Sequence, residues 1–381
     1  MRVPELSTVV ILSTADFDSA VWTNKQHLAV RLAAHTRVIY VESLALRRPR
    51  LGRADLARIA ARLRRGRAGV EGADRHTEGP SVEIISPVVL PWHGLAVVRG
   101  INHLLVWASV TRRIGRLDRP VLWTFSPLTY GIEKRCRAVV YHSVDLIHSQ
   151  PRMPARAILR AERRLADAAD RVIASSSGVR DHLVDVGYRD VLLWENVADT
   201  ALYARTDAKR RDVAVFAGNL TPSKIDIGLL REVVEAGVHV ILAGPLGIDG
   251  TTPPPEMELL LRHPQVEWLG VLPPEALAEV VASAKVGLIP YRVNEYMTGV
   301  FPLKVYEYLA AGLTVVSTPL PSLKGVEAPG LVLTGTAGFV SACLEGISSF
   351  SDGDAAARSE SAKVHSWEHR TGQALDLLAS L

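Results

Sequence analysis

Short, uninterrupted apolar runs recur between longer amphipathic stretches in this chain, and they do so in two successive series. The first series opens with Val9-Val10-Ile11-Leu12, then polar residues 13–19, a helical stretch at 25–34 and a second run, Val38-Ile39-Tyr40-Val41. An apolar run without alternation suits a strand buried on both faces, and strands of that kind belong to parallel sheets covered by helices. Runs at 82–85, 121–123, 138–141, 172–174 and 191–194 continue the pattern, with a charged amphipathic helix predicted at 155–169.

Residues Glu195-Asn196-Val197-Ala198-Asp199 break the rhythm, and it restarts at 213–216. Further strands are predicted at 238–243, 266–270, 286–290 and 314–317, with helices at 226–236, 274–284 and 303–311. Two such series in 381 residues predict an α/β chain of two Rossmann-like, doubly wound domains facing one cleft. The boundaries are 1–195 for an N-terminal acceptor domain and 196–362 for a C-terminal donor domain. A closing helix at 363–381 is expected to pack back on the first. In sheets of this kind ligands bind beyond the carboxyl ends of the strands, so the loops that follow strands are the places to search.

Composition narrows the function classes. With 48% hydrophobic and 22% charged residues, the chain has ample material for buried cores. Its two cysteines, Cys136 and Cys343, lie far apart without metal-ligand spacing, which argues against a disulfide framework or a structural zinc site and for a reducing, cytoplasmic setting. The apolar start at 8–13 is short and runs into Asp16 and Asp18, so it reads as a strand rather than a leader. The stretch at 101–110 is shorter than the roughly 20 residues a spanning helix needs.

The net charge of +4 hides a local excess, since nine arginines (47, 48, 50, 53, 58, 62, 64, 65 and 67) stand against Asp55 alone. A patch, rather than a generally basic chain, argues against nucleic acid and for a local anionic partner. Leu56, Ile59, Ala60 and Leu63 fall at helical spacing among these arginines. A basic amphipathic helix on an anionic membrane surface and a solvated surface segment both fit, which leaves a peripheral position on the inner face of the plasma membrane open.

The most informative local pattern is Phe301-Pro302-Leu303-Lys304-Val305-Tyr306-Glu307-Tyr308-Leu309-Ala310-Ala311-Gly312. Pro302 suits a first helical turn and Gly312 a helix end. Lys304 and Glu307 share a helix face, where the carboxylate could accept hydrogen bonds from ribose hydroxyls and the helix start could meet a diphosphate. The spacing equally accommodates a solvated ion pair.

With the strand Val315-Val316-Ser317-Thr318 that follows, Pro302, Lys304, Glu307 and Gly312 resemble the donor-site helix of GT-B glycosyltransferases of the family-4 type, teichuronic-acid-type enzymes among them. The resemblance implies that Glu307, as the last residue of an E-x7-E motif, binds the donor ribose. The motif's first glutamate is replaced by Gly299, so its work on the sugar hydroxyls would pass to the loop at Thr298, Gly299 and Val300, or to Glu295. Phe216-Ala217-Gly218-Asn219-Leu220-Thr221-Pro222-Ser223-Lys224 resembles the family's phosphate-binding strand-loop, with Asn219 where arginine is common and Lys224 in the expected place. Gly218, Gly244, Tyr291, Phe301 and Leu303 are further donor-side candidates. Asn196-Val197-Ala198-Asp199 is similar to the family's linker, and Ser366-Trp367-Glu368-His369-Arg370 to its closing helix.

In the first half, the resemblance places His142 near the reaction centre, in Tyr141-His142-Ser143-Val144-Asp145 directly after a strand, with Asp145 one step further on. Asp16, Asp18, Trp22, Asn24 and Lys25 crowd the first strand-to-helix loop, on the acceptor side; a plain helix cap by Asp18 or Ser19 fits the same residues. That loop carries no G-x-G-x-x-G, which argues against a dinucleotide cofactor.

The expected activity is transfer of a glycosyl unit from a nucleoside diphosphate sugar to an acceptor hydroxyl on a glycan, lipid or small molecule. By resemblance it proceeds with retention, and with no metal needed at the diphosphate. Two rivals stay open: a nucleotide-sugar epimerase or hydrolase of the same fold, whose donor site would look alike, and, because Gly299 and Asn219 replace expected polar groups, a catalytically silent nucleotide-binding protein.

Overall fold

The computed structural model describes residues 8–19, 22–43, 81–87, 89–90, 95–115, 119–150, 153–205, 208–247 and 253–381. The arginine-rich segment 47–67 lies outside them. The chain divides into two compact units, Met1–Glu195 with Thr371–Leu381, and Asn196–Arg370.

The first unit is built on a seven-stranded parallel sheet. Its strands are β1 (Val9–Leu12), β2 (Val38–Val41), β3 (Glu83–Ile85), β4 (Val121–Thr124), β5 (Ala138–Ser143), β6 (Arg171–Ala174) and β7 (Val191–Leu193), in the order 3-2-1-4-5-6-7. Register follows from burial: Val9 to Leu12 pair with Val38 to Val41 on one side and Val121 to Thr124 on the other, and every one of these residues is buried. Because both faces are covered, the sheet has two cores. Val10, Leu12, Ile39 and Val41 point into one, and Val9, Ile11, Val38 and Tyr40 into the other. The second core also takes Ala374, Leu377 and Leu378 from the helix Trp367–Ala379.

The second unit repeats the plan with six strands: β8 (Val213–Ala217), β9 (His239–Ala243), β10 (Val266–Trp268), β11 (Val286–Ile289), β12 (Thr314–Ser317) and β13 (Leu331–Leu333), in the order 10-9-8-11-12-13. In both sheets the order reverses beside the first strand, between β1 and β4 and between β8 and β11. At such a switch point the connections leave in opposite directions and open a crevice at the strands' carboxyl ends.

The helix Lys304–Ala310 is anchored across the second switch point. Ala217, at the end of β8, donates its buried N–H to the Tyr308 hydroxyl at 2.8 Å. The same ring lies against β11 where Gly287 has no side chain; a Cβ there would run into Tyr308. The helix ends in a Schellman arrangement around Gly312 (φ +81°), with Leu313 N–H bonded to Tyr308 C=O and Gly312 N–H to Leu309 C=O. Arg210 donates to the carbonyl of Ala311 at 2.5 Å and Arg358 to that of Gly312 at 3.2 Å, placing two cations at the negative end of the helix. No helix among the described residues is long and apolar enough to cross a membrane.

Candidate functional site

In the second unit, the carboxyl ends of β8, β9 and β11 meet the start of the helix Lys304–Ala310. Gly244 has φ +137°, and a Cβ on it would collide with the backbone of Gly218. A Cβ on Gly218 would in turn strike the Lys304 side chain. Two bare backbones therefore lie against each other, with the Lys304 ammonium close to them. Gly218 N–H donates to Ala243 C=O at 2.7 Å, and Gly244 N–H to Gly270 C=O at 2.6 Å. Trp268 donates its indole N–H to Gly244 C=O, fixing this floor.

Lys304 Nζ lies 3.9 Å from Glu307 Oε2, with both side chains about one-fifth exposed. That distance is loose for an ion pair, and both groups keep hydrogen-bonding capacity for a ligand. Glu307 stands among three phenols. Burial pushes the pKa values of Tyr203, Tyr291 and Tyr308 up, and the Glu307 charge pushes them further in the same direction. Lys304 pulls the other way on Tyr291, so Tyr291 lies within reach of both charges. These hydroxyls therefore stay protonated at neutral pH.

The loop after β8 is stitched to the loop after β11. Ile225 and Tyr291 form an antiparallel bridge, Asp226 N–H donates to Pro290 C=O, and Arg292 N–H to Lys224 C=O. Half-buried Lys224 is thus held beside Tyr291. Asn219 is committed locally, its side-chain carbonyl accepting the Thr221 hydroxyl at 2.7 Å.

The segment from Thr298 to Leu303 is pinned by its carbonyls. Ser322 donates to Val300 C=O at 2.6 Å and Asn196 to Phe301 C=O at 2.7 Å. Phe301 is 1% exposed and stacks on Tyr306 at 5.5 Å, so its ring belongs to the core. Thr298 donates its hydroxyl to Asn294 C=O, Gly299 is buried, and Leu303 is half-buried at the helix start. The amides of Val305, Tyr306 and Glu307 are spent on Pro302 and Leu303, so an anion at this helix start would meet earlier amides.

In the first unit the structure moves His142 from just after a strand to inside one, because β5 runs on to Ser143. His142 is 3% exposed, ringed by Phe125 at 4.9 Å and Trp194 and Trp123 at 6.2 Å, and Trp123 Nε1 lies 3.4 Å from its Nδ1. Lys25 is buried, with its ammonium 5.7 Å from the centre of the Phe125 ring. Asp145 and Lys25 interact electrostatically, which brings one residue of the predicted acceptor-side set together with one of the two residues expected near the reaction centre.

The first loop is held differently from the expected Asp18 or Ser19 cap. Thr23 is the N-cap of the helix Asn24–Ala33, and Gln26 Oε1 accepts from both its N–H and its hydroxyl. Gln26 also donates to Asp16 C=O, and buried Glu42 accepts the Phe17 N–H at 3.0 Å and the Ser86 hydroxyl. Asp18 is exposed, Asn24 buried, and Trp22 packs on Phe17 and His27. Gln26 is among the residues that crowd this loop in the sequence, but its capping role, like the roles of Glu42 and Tyr308, is not evident there. The Thr23-x-x-Gln26 spacing is the local signal for the first; the other two depend on tertiary contacts.

Burial draws the Lys25 ammonium below its ordinary pKa, with Asp145 opposing the pull. A lysine lowered on folding binds fewer protons in the folded state than in the unfolded one between the two pKa values, so stability rises with pH through that window. At neutral pH, below the unfolded pKa, burying this side chain is a net cost whichever form it takes. Lys25→Met is therefore expected to exceed the wild type in stability near pH 7, with the gap closing toward about pH 10. Urea unfolding across that range checks this, and a gap that does not change with pH would place Lys25 in water-like surroundings.

Two doubly wound parallel sheets, each with candidate residues at its switch point, define a protein of the GT-B fold. Within its second unit, residues 211–348 match the family described as "Glycosyl transferases group 1". A protein of Bacillus subtilis (strain 168) named for glycosyl transfer in teichuronic acid biosynthesis, TuaH, is 30% identical over 188 residues; that match spans 46% of this chain and 46% of the relative. Among solved structures, Anabaena HepE in complex with UDP and glucose superposes with a TM-score of 0.62 at 15% identity, covering 98% of this chain and all of that one. Sucrose-phosphate synthase from Thermosynechococcus elongatus gives 0.66 at 16% identity, with 98% of each chain covered.

Proposed function

We propose that this chain is a glycosyltransferase that moves a sugar from a nucleoside diphosphate sugar to an acceptor hydroxyl. The observation that carries the reading is the Lys304–Glu307 pair, set over the side-chain-free backbone of Gly218 and Gly244 at the second switch point. In this reading Glu307 takes the ribose hydroxyls, Lys304 and Lys224 face the diphosphate, and backbone at 298–303 borders the sugar. As the bond to the anomeric carbon breaks, the two lysines stabilise the negative charge gathering on the leaving diphosphate. His142 and Asp145, with Lys25, form the half of the chemistry that meets the acceptor. Retention at the anomeric carbon follows from the resemblance.

Uridine diphosphate sugars are the first donors to test, because HepE is described in complex with UDP and with UDP-glucose. The relative named for teichuronic acid biosynthesis favours a cell-envelope or lipid-linked acceptor. A secondary-metabolite acceptor is the other class within this reading.

A ligand that binds only the folded state raises its apparent stability. In a thermal-shift panel of UDP, GDP, dTDP and ADP sugars, one base is expected to raise the melting temperature well above the others. Product analysis then separates the readings. Sugar transferred to an added acceptor supports transfer, whereas a C2 epimer or free sugar formed without acceptor gives the site to an epimerase or hydrolase. No shift with any nucleotide would remove the donor assignment.

A further inference from the structure

Away from the donor site, the first unit gathers two imidazoles and a buried carboxylate from three separate elements. His148 sits in the short turn Ile147–Ser149 after β5, Glu162 on the helix Ala155–Ala166, and His182 on the helix Ser177–Val186. One ligand atom from each lies within 4.8 Å of the other two. His182 Nε2 is 3.0 Å from Glu162 Oε2, and the two imidazole rings are 4.4 Å apart at 31°.

Glu162 is only 3% exposed. A carboxyl group buried to that degree needs polar or charged partners at both oxygens. Its ion-pair partner among the described residues is His182, which carries charge only when protonated. A second imidazole, His148, packs against that ring. Two imidazole nitrogens and a carboxylate oxygen are a ligand set for a divalent transition metal.

We propose that His148, Glu162 and His182 bind one divalent transition-metal ion, with zinc the best match. Two nitrogens and one carboxylate oxygen suit zinc, cobalt(II) or nickel, whereas magnesium and calcium prefer all-oxygen shells. Zinc bonds of about 2.0–2.2 Å put tetrahedral ligand atoms roughly 3.3–3.6 Å apart, within small side-chain rotations of the arrangement present. The outer partner is also in place: Tyr141 donates its hydroxyl to Glu162 Oε1 at 2.9 Å, leaving Oε2 to the metal. Such second contacts orient a ligating carboxylate. Tyr188 fixes the helix itself by donating to the Glu162 backbone carbonyl at 2.8 Å. His182 is 18% exposed, which gives an entering ion and a completing water access. The ion would clamp the turn after β5 to both helices, three residues beyond Asp145. Nothing in this site depends on nucleotide binding.

The test uses the untagged full chain, stripped with a chelator and titrated with cobalt(II). The expected result is one equivalent bound, with the visible absorption of four-coordinate cobalt, bleached when zinc displaces it. One zinc per chain should survive dialysis, and zinc should raise the melting temperature of the stripped protein. His148→Ala, in a half-buried turn, should abolish the cobalt spectrum while the protein stays folded; Tyr141→Phe should keep the stoichiometry and weaken affinity by roughly 10–100-fold. His182→Ala is informative only if circular dichroism shows it folded, and the wild-type and His148→Ala spectra decide without it. A folded wild type that binds no cobalt, or one whose stoichiometry and spectrum are unchanged in His148→Ala, overturns the proposal.

Discussion

Gly244→Ala is expected to destabilise the second unit by about 3–5 kcal/mol, the range reached when a buried substitution both clashes and strains the backbone. Gly244 has φ +137°, which an alanine adopts only under strain, and the added Cβ would land on the carbonyl of Gly218. Neither side can give way locally. Gly218 is tied to Ala243 and Gly244 to Gly270 by backbone hydrogen bonds, and Trp268 holds the Gly244 carbonyl. Gly237→Ala, at φ +89° with nothing within 4 Å of the new Cβ, is the control: it carries backbone strain without the collision. Denaturant unfolding of the two variants separates the terms. Equal losses would mean that the loops after β8 and β9 are free to move apart, which would also loosen the floor of the proposed donor site.

The contrast between those glycines shows what a sequence reading can reach. Strands such as β1, β5 and β8 are legible because both faces are buried, and burial on both faces writes an unbroken apolar run. The strand β13 was not, since Leu331–Leu333 is only partly buried at the sheet's edge. Ser175-Ser176-Ser177-Gly178 reads as a turn, yet it opens the helix Ser177–Val186, with the Ser176 hydroxyl accepting the Val179 N–H. Small polar residues serve turns and N-caps alike, and only the continuation decides.

Within the site, Lys304 and Glu307 could be picked out because three residues on a helix bring them to one face. The approach of Gly218 to Gly244, the hydroxyl that Tyr308 offers β8, and the aromatic ring around His142 all join residues distant in sequence. Their positions follow from the strand order, which no local pattern specifies. The same holds for His148, Glu162 and His182, whose spacing matches no compact metal motif but whose elements are adjacent in the folded unit.

Glu307→Ala is expected to weaken binding of the preferred nucleoside diphosphate by roughly 1–3 kcal/mol, about 5- to 150-fold in dissociation constant, as for the loss of hydrogen bonds to a charged acceptor. The carboxylate is about one-fifth exposed and 3.9 Å from Lys304, so it is accessible to a ligand and its loss leaves no tightly paired cation behind. Stability should change little by comparison, because the helix is held by Tyr308, Arg210 and Arg358 rather than by Glu307. Glu307→Gln keeps an acceptor oxygen while removing the charge, and should fall between the wild type and Glu307→Ala. A ribose contact also makes a specific demand: the wild type should prefer the ribonucleotide to its 2′-deoxy form, and Glu307→Ala should lose that preference. Calorimetry on the four combinations of protein and ligand measures the coupling directly. Unchanged affinity in Glu307→Ala would take the residue out of the site. Weakened affinity with the ribose preference intact would keep it there but reassign it, as the group that holds Lys304 toward the phosphates.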